Sequence, residues 1–313
     1  MRCVLIGNYG VGNLGDEALK EYFLRTFINV EWGVLSAQPT KREYPRLPAG
    51  IASLFLTPWW RTISVIFKSD AVVFGGGSLF TDAESVFACF LWWWHVVVAW
   101  VFRKPVYLAF QGIGPFRTRI GEWFARCAVR VSSSLSVRDD QSKNQVDMWE
   151  LNKKVVLTFD PVFLLLKKTF QKNSSKKVFV LIPRSNSSAT FCERAGALVR
   201  TQQWDAVCVL SLQPEAAGEK RTCAQLARAV RGTVVPIRSL ADLSLEVAAA
   251  SFVLAQRYHG ALAALALGTD FDVVPQREGD KLSALRDLRG REEECVRLVQ
   301  AGEDALRAAL HKN

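Results

Sequence analysis

Short, almost wholly apolar runs recur along the chain, and most of them stop at a glycine or a polar cluster before a segment of helical period begins. Residues 3–6, 30–36, 70–80, 104–113, 134–137 and 155–160 form one set, and residues 177–184, 206–211, 233–236, 251–255 and 271–274 a second. Continuous apolar runs without alternation are the pattern of strands covered on both faces, as in parallel sheets flanked by helices. Two consecutive sets of alternating strands and helices predict an α/β chain of two doubly wound, Rossmann-like domains facing a cleft. The polar and basic stretch 167–177, with Asn173, Ser174 and Ser175, separates the sets, so the domains are expected at 1–170 and 176–285. A strongly charged helix over 286–313 has the pattern of a solvated C-terminal tail, and the proline-rich residues 40–61 read as surface loop and connection.

Residues 86–102 carry no charge and form the most hydrophobic part of the chain. At 17 residues this run sits at the bottom of the membrane-spanning range, and His95 interrupts its middle, so a buried or interfacial helix is expected. Consecutive helical residues lie about 100° apart. Trp92, Trp93 and Trp94 therefore cannot all face one core, and a bilayer interface or a partner suits the outward ring.

The formal charge of +10 points to an anionic partner, and it does not by itself choose among a phosphorylated small molecule, a polymer, a lipid headgroup and nucleic acid. Seven scattered cysteines without a C-x-x-C spacing indicate neither a zinc site nor a disulfide framework. No secretory signal pattern is present at the start, so a cytoplasmic chain is expected, with the inner face of the membrane as a place of peripheral contact.

Candidate chemistry collects where strands end. Gly10, Gly12 and Gly15 spell G-x-G-x-x-G, but the second strand's only acid, Glu31, stands at its start, where it cannot hold a ribose hydroxyl, so these glycines read as a tight turn. Asn8, Asn13, Asp16 and Glu17 crowd the same loop, where Asp16 fits either a first-turn acid or a site carboxylate. Gly76 and Gly77 before Ser78, and Gln111 before Gly112, close two further strands and let a ligand approach the backbone. Arg138 follows another strand and fits either a ligand contact or an ion pair with Asp160. In the second set, Arg184 ends its first strand, and the apolar run 251–268 is broken once by Gln256, Arg257, Tyr258 and His259. That break puts Arg257 and His259 on a strand-to-helix turn, the kind that lines ligand crevices in open α/β sheets. A helix-start histidine can also be a plain cap; an arginine two residues earlier favours chemistry.

Gly7-Asn-Tyr-Gly-Val-Gly-Asn-Leu-Gly-Asp-Glu-Ala18, Phe74-Gly-Gly-Gly-Ser-Leu-Phe80, Gln111-Gly-Ile-Gly-Pro115, Val137-Arg-Asp139, Asp160-Pro-Val-Phe163 and Arg257-Tyr-His259, in this order, resemble the polysaccharide pyruvyl transferase family over residues 1 to about 285. The resemblance implies a two-domain fold like that of GT-B glycosyltransferases, and transfer of pyruvate from phosphoenolpyruvate onto a sugar as a ketal. Two departures stand out: Tyr258 takes the place of the family's usual leucine, and Val273-Val-Pro-Gln276 that of its aromatic-Asp-Pro-Lys pattern.

A donor with carboxylate and phosphate groups needs cations and backbone N–H groups, which Arg257, Arg184, Arg138 and the loops at Gly12, Asn13, Gly76, Gly77, Ser78, Gln111 and Gly112 can supply. Ketal formation needs proton transfer, with His259 the natural acid and Asp16 a candidate base. The acceptor is expected to be a cell-envelope glycan or its lipid-linked precursor, held by the first domain, with the donor on the second. No cofactor or metal is expected. A GT-B glycosyltransferase using a sugar nucleotide is the alternative enzyme, a non-catalytic envelope-assembly protein a third reading, and nucleic-acid binding ranks last because no recognition module is present.

Overall fold

In a computed structural model of the protein, residues 1–48, 50, 53, 55, 57–83, 85–167, 176–276 and 281–312 are described. The core of the expected domain boundary, residues 168–175, lies outside them. The chain divides into a first body of Met1–Val11, Asp16–Pro161 and Val296–Asn313, and a second of Gly12–Gly15 and Val162–Cys295.

The first body is built on a parallel sheet of β1 (Arg2–Ile6), β2 (Glu31–Ser36), β3 (Glu43–Pro45), β4 (Ala71–Phe80), β5 (Val106–Ile113), β6 (Ser134–Val137) and β7 (Val155–Leu157). Its helices are α1 (Leu14–Thr26), α2 (Trp60–Lys68), α3 (Val86–Val101), α4 (Arg119–Val131) and α5 (Asp140–Asp147). The strand order is β3-β2-β1-β4-β5-β6-β7. The direction of growth therefore reverses between β1 and β4, and the carboxyl ends of those two strands form the crevice where doubly wound sheets bind ligands. Val4 and Ile6 of β1, Val72 and Phe74 of β4 and Leu108 of β5 pack with Trp92 and Val96 of α3 and Ala125 and Val129 of α4 into one core. Burying each large side chain of this kind is worth about 1.5–3 kcal/mol.

The second body repeats the plan on a smaller scale, with α6 (Val162–Lys167), β8 (Val178–Ile182), α7 (Ala189–Thr201), β9 (Ala206–Ser211), α8 (Ala217–Val230), β10 (Thr233–Pro236), α9 (Leu240–Ala249), β11 (Phe252–Ala255), α10 (Tyr258–Leu267), β12 (Phe271–Val273) and the short α11 (Lys281–Ala284). The order β10-β9-β8-β11-β12 is again all parallel, and its reversal falls between β8 and β11. Polar side chains set the helix starts: Ser188 Oγ accepts from Phe191 N at 3.2 Å, and Ser239 and Asp242 form a reciprocal capping box on α9.

Two expectations change. Residues 43–45 are an edge strand, where Pro45 costs nothing because an edge leaves backbone N–H groups unpaired. Leu47 just beyond is buried, its N–H donating to His95 Nε2 at 3.0 Å while His95 Nδ1 bonds Leu91 O at 2.7 Å, so the one polar residue of α3's inner face is a satisfied core histidine. Burial pushes its imidazole down to about 4. The charged C-terminal helix, α12 (Glu292–Leu310), is no solvated tail. Val299, Gly302, Leu306 and Leu310 recur at helical spacing, and Val299, Leu306 and Leu310 are buried in the first body. Thr158 Oγ1 donates to Leu298 O at 2.7 Å and Tyr107 OH to Ala309 O at 3.0 Å, and a Cβ at Gly302 would strike the Phe110 ring.

Candidate functional site

In the first body the chain leaves β1 through Gly7, Asn8 and Tyr9. Tyr9 is fully buried and its hydroxyl donates to Gly75 O at 3.0 Å, which pins this loop to the end of β4. Gly76 and Gly77 take φ values of 78° and 84°, a region closed to most side chains, and the β4–β5 register shifts between Gly77 and Phe80. The bulge sets the backbone close to Asp16, since a Cβ on Gly77 would lie 3.5 Å from Asp16 Oδ1.

Asp16 is buried near the start of α1 and accepts from Asn8 Nδ2 at 2.9 Å. Burial outweighs that hydrogen bond and the nearby Arg138 and Arg46, and holds the carboxyl up at about 6. A carboxyl poised there exchanges protons near neutral pH, as a general base must. Arg46, in a stretch whose prolines read as surface loop, fixes the arrangement. Its Nη2 donates to Gly7 O (3.3 Å), Asn8 Oδ1 (3.2 Å) and Tyr9 O (2.8 Å), and its guanidinium lies 4.9 Å from the Trp92 ring centre. Burial pushes it down to about 10, so it stays charged at neutral pH.

Arg138 is buried and ion-paired with Asp160, and its Nη2 donates to Ser78 Oγ at 3.0 Å. The ion pair and the strand-end serine are thus parts of one constellation. Gln111 is brought to the same strand ends but fully buried, with Nε2 donating to Phe74 O (2.9 Å) and Ala109 O (3.0 Å), so its amide braces β4 against β5 beneath the surface. Gly112 is likewise enclosed in β5, whereas Gly12 and Ser78 are exposed.

In the second body, Arg184 follows β8 and Arg257 follows β11, so both arginines stand at the strand-order reversal. Ser187 ties the Arg184 turn, accepting from Arg184 N and donating to its carbonyl, both at 2.9 Å. Arg257 is the N-terminal flank of α10 and is mostly buried. Its Nε donates to Pro183 O (3.3 Å) and its Nη2 to Gln213 Oε1 (2.9 Å) and to Glu219, an acid with no exposed surface on the first turn of α8. Glu219 also takes Gln213 N at 2.7 Å and Ser211 Oγ at 3.2 Å. Burial first, and Arg184 second, push the Arg257 guanidinium down to about 10. Two cations thus meet at one strand end, with Glu219 paired to Arg257, and guanidinium groups so placed are the kind that hold a carboxylate or phosphate. Sequence reasoning missed Glu219; its one signal is an acid in the first turn of an otherwise basic helix.

His259, the second residue of α10, is half-buried, its ring 5.4 Å from that of Tyr258. Asn13 and Gly15 belong to the same body: Asn13 Oδ1 accepts from Gly15 N at 3.2 Å, and a Cβ on Gly15 would overlap the His259 imidazole. The glycine is needed because the ring occupies that space. Among the described residues no group of three or more His, Cys, Asp or Glu side chains is placed to hold a metal ion. A concavity of about 430 Å³ lined by Arg2, Glu31, Tyr44, Trp60 and Lys68 opens at the amino ends of β1 and β2, opposite to the strand ends that carry these residues.

A family model described as polysaccharide pyruvyl transferase matches residues 13–271, which includes Asn13, Asp16, Arg138, Arg184, Arg257 and His259. The chain belongs to the polysaccharide pyruvyl transferase family. Members of this family are transferases by name, and the strand-end residues above all fall inside the matched span except those of the loop before residue 13. No curated protein matches the chain. Among solved structures it is similar to the UDP-GlcNAc 2-epimerase of Methanocaldococcus jannaschii (12% identity, 99% of each chain covered, TM-score 0.61). It is also similar to that of Neisseria meningitidis bound to UDP-GlcNAc (13%, 100% of each chain, 0.57), and to Anabaena HepE in complex with UDP and glucose (10%, 99% of this chain and 94% of that one, 0.58). At such identities the likeness shows the fold, two Rossmann-like domains of the GT-B type, and this pyruvyl transferase family member carries it on sheets of seven and five strands.

Proposed function

We propose that the protein transfers pyruvate from phosphoenolpyruvate to two hydroxyls of a sugar in a cell-envelope glycan or its lipid-linked precursor, forming a ketal and releasing phosphate. The observation that carries this reading is the pair Arg184 and Arg257 at the reversal of the second sheet, a cationic seat suited to a small ligand with a carboxylate and a phosphate. Arg257 keeps both Nη1 protons without an acceptor among the described residues, and a forked donor of that kind matches a carboxylate or phosphate edge.

In the proposed reaction His259 gives a proton to the methylene carbon of the enol, which leaves C2 electron-poor. One sugar hydroxyl adds to C2 and loses its proton, phosphate departs with the C2–O bond electrons, and a second hydroxyl closes the ketal. Of the two protons lost by the hydroxyls, one replaces that spent by His259 and the other leaves with phosphate. Asp16, held near 6, is the candidate acceptor of a hydroxyl proton, and Asn8 and Arg46 position it. No resident cofactor is needed by this chemistry.

A sugar-nucleotide donor is the second reading, favoured by the UDP ligands named for the similar Neisseria and Anabaena structures. The two part on products. Incubation with phosphoenolpyruvate and a glycan acceptor in D2O is expected to release inorganic phosphate and leave deuterium in the ketal methyl group. Turnover of UDP-GlcNAc to UDP with no consumption of phosphoenolpyruvate would establish the other reading.

A further inference from the structure

We propose that the first body docks, through the outer face of α3 and α4 and the end of α2, on the anionic headgroups of a lipid bilayer. α3 buries Cys89, Trp92, His95, Val96, Val98 and Ala99 on its inner side and has no charged residue anywhere. Phe87, Phe90, Trp93, Val97 and Trp100 then recur at helical spacing on the other side. Ring contacts join this stripe to α4: Phe90 to Phe124 at 5.5 Å, Trp93 to Phe124 at 4.9 Å and Trp93 to Trp123 at 5.6 Å. Phe87, Trp100 and Trp123 remain 54%, 61% and 51% exposed, and Ile120 on α4 58%, more apolar surface on one side than scattered single residues would give.

Among the described residues, the charged side chains beside the stripe are mainly basic. Arg119, Arg126 and Arg130 lie on the exposed side of α4, Lys68 and Arg103 are exposed beside Phe67 and Phe102, whose rings touch at 5.5 Å, and Lys104 Nζ sits over the Phe67 ring at 5.8 Å. Of the described acids nearby, Glu122 accepts from Trp149 Nε1 at 2.8 Å, buried Asp82 accepts from Arg117 N and Thr118 N, and exposed Asp70 accepts from Arg2 N at 2.7 Å. Tryptophan and phenylalanine ringed by arginine and lysine is the pattern of a helix face that lies in the headgroup region. A second copy of the same face would bring like charges together, which argues against self-association. Spanning is excluded for these helices: α3, of 16 residues, is about 24 Å long against about 30 Å of hydrocarbon, and no described helix is long and apolar enough to cross.

The test is co-sedimentation with vesicles of phosphatidylcholine alone and of phosphatidylcholine mixed equally with phosphatidylglycerol, at about 0.05 M and about 0.5 M NaCl. Binding is expected to the mixed vesicles only, and to fall steeply at the higher salt. Arg119→Glu with Arg130→Glu is expected to reduce partitioning by more than about tenfold, since each basic residue near an anionic surface contributes about a fivefold factor. Phe87→Ser with Trp123→Ser is expected to reduce it as much, with an unchanged thermal melt. Failure to bind mixed vesicles at low salt, or binding by either double variant equal to wild type, overturns the proposal. A vesicle-free dimer that Trp123→Ser dissociates would assign the face to a second copy instead.

Discussion

Asn8 Nδ2 donates to Asp16 Oδ2 at 2.9 Å while Asn8 Oδ1 accepts from Arg46 at 3.2 Å, so one amide links a buried carboxyl on α1 to a cation on the loop after β3. The orientation of the amide is set from both sides. Burial still holds Asp16 at about 6, against an ordinary 3.8. A carboxyl raised in this way stabilises the fold below pH 4, and that contribution is lost as pH rises through 6. Above pH 6 the ionised group costs the folded state about 3 kcal/mol. Asp16→Asn is therefore expected to be more stable than wild type at pH 8 and to have lost turnover. Urea melts of both proteins between pH 4 and 8 check this. His95, pushed down to about 4, acts with opposite sign over the same window, so the difference between the two proteins is the readout. A variant less stable than wild type at pH 8 would make Asp16 a structural acid.

Arg46→Met keeps an apolar stem against Trp92 but leaves three acceptors without their donor. Stability is expected to fall by roughly 1–3 kcal/mol. Because Arg46 lowers the Asp16 value, the alkaline shift of the Asp16 titration is the mark of positioning, and an unmoved pH–rate profile would deny it.

Arg257 and Glu219 form a mostly buried pair, so Arg257→Ala strands an acid with no exposed surface and is expected to cost about 3–5 kcal/mol. Arg257→Lys retains the charge without the fork, and is expected to melt closer to wild type while donor binding weakens by about tenfold. Equal melting temperatures for Arg257→Ala and wild type would show that the pair does not hold the turn.

His259→Gln retains size and a hydrogen-bonding group and removes the proton carrier. Turnover is expected to fall by about 10²–10⁴-fold with melting temperature and donor binding kept. Gly15→Ala, whose Cβ takes the place of the imidazole, is expected to resemble it kinetically. Near-normal turnover of His259→Gln would leave the residue a cap at the start of α10.

The fold was legible because a strand buried on both faces reads as an unbroken apolar run, and β1, β4, β5, β8 and β11 each end where the run ends. For the same reason Asp16, Arg184, Arg257 and His259 could be placed at strand ends from the sequence. Their partners could not. Glu219 meets Arg257 across 38 residues, and Arg46 meets Asn8 across the same distance, through loops whose return carries no periodic signal. Prolines disguised β3, and the charges of α12 disguised a stripe whose small member, Gly302, admits Phe110. Gln111 looked like a ligand contact because a polar residue at a strand end does; burial made it a brace between strands.

Calorimetric titration of phosphoenolpyruvate and of UDP-GlcNAc into wild type and Arg184→Ala tests the donor seat most directly. The Arg184 turn is tied to Ser187 through backbone groups, so truncation leaves those bonds in place. Phosphoenolpyruvate is expected to bind wild type without competition from UDP-GlcNAc, and Arg184→Ala to lose roughly 1.5–3 kcal/mol of that binding. Binding of UDP-GlcNAc without phosphoenolpyruvate, or an unchanged affinity in Arg184→Ala, would contradict it.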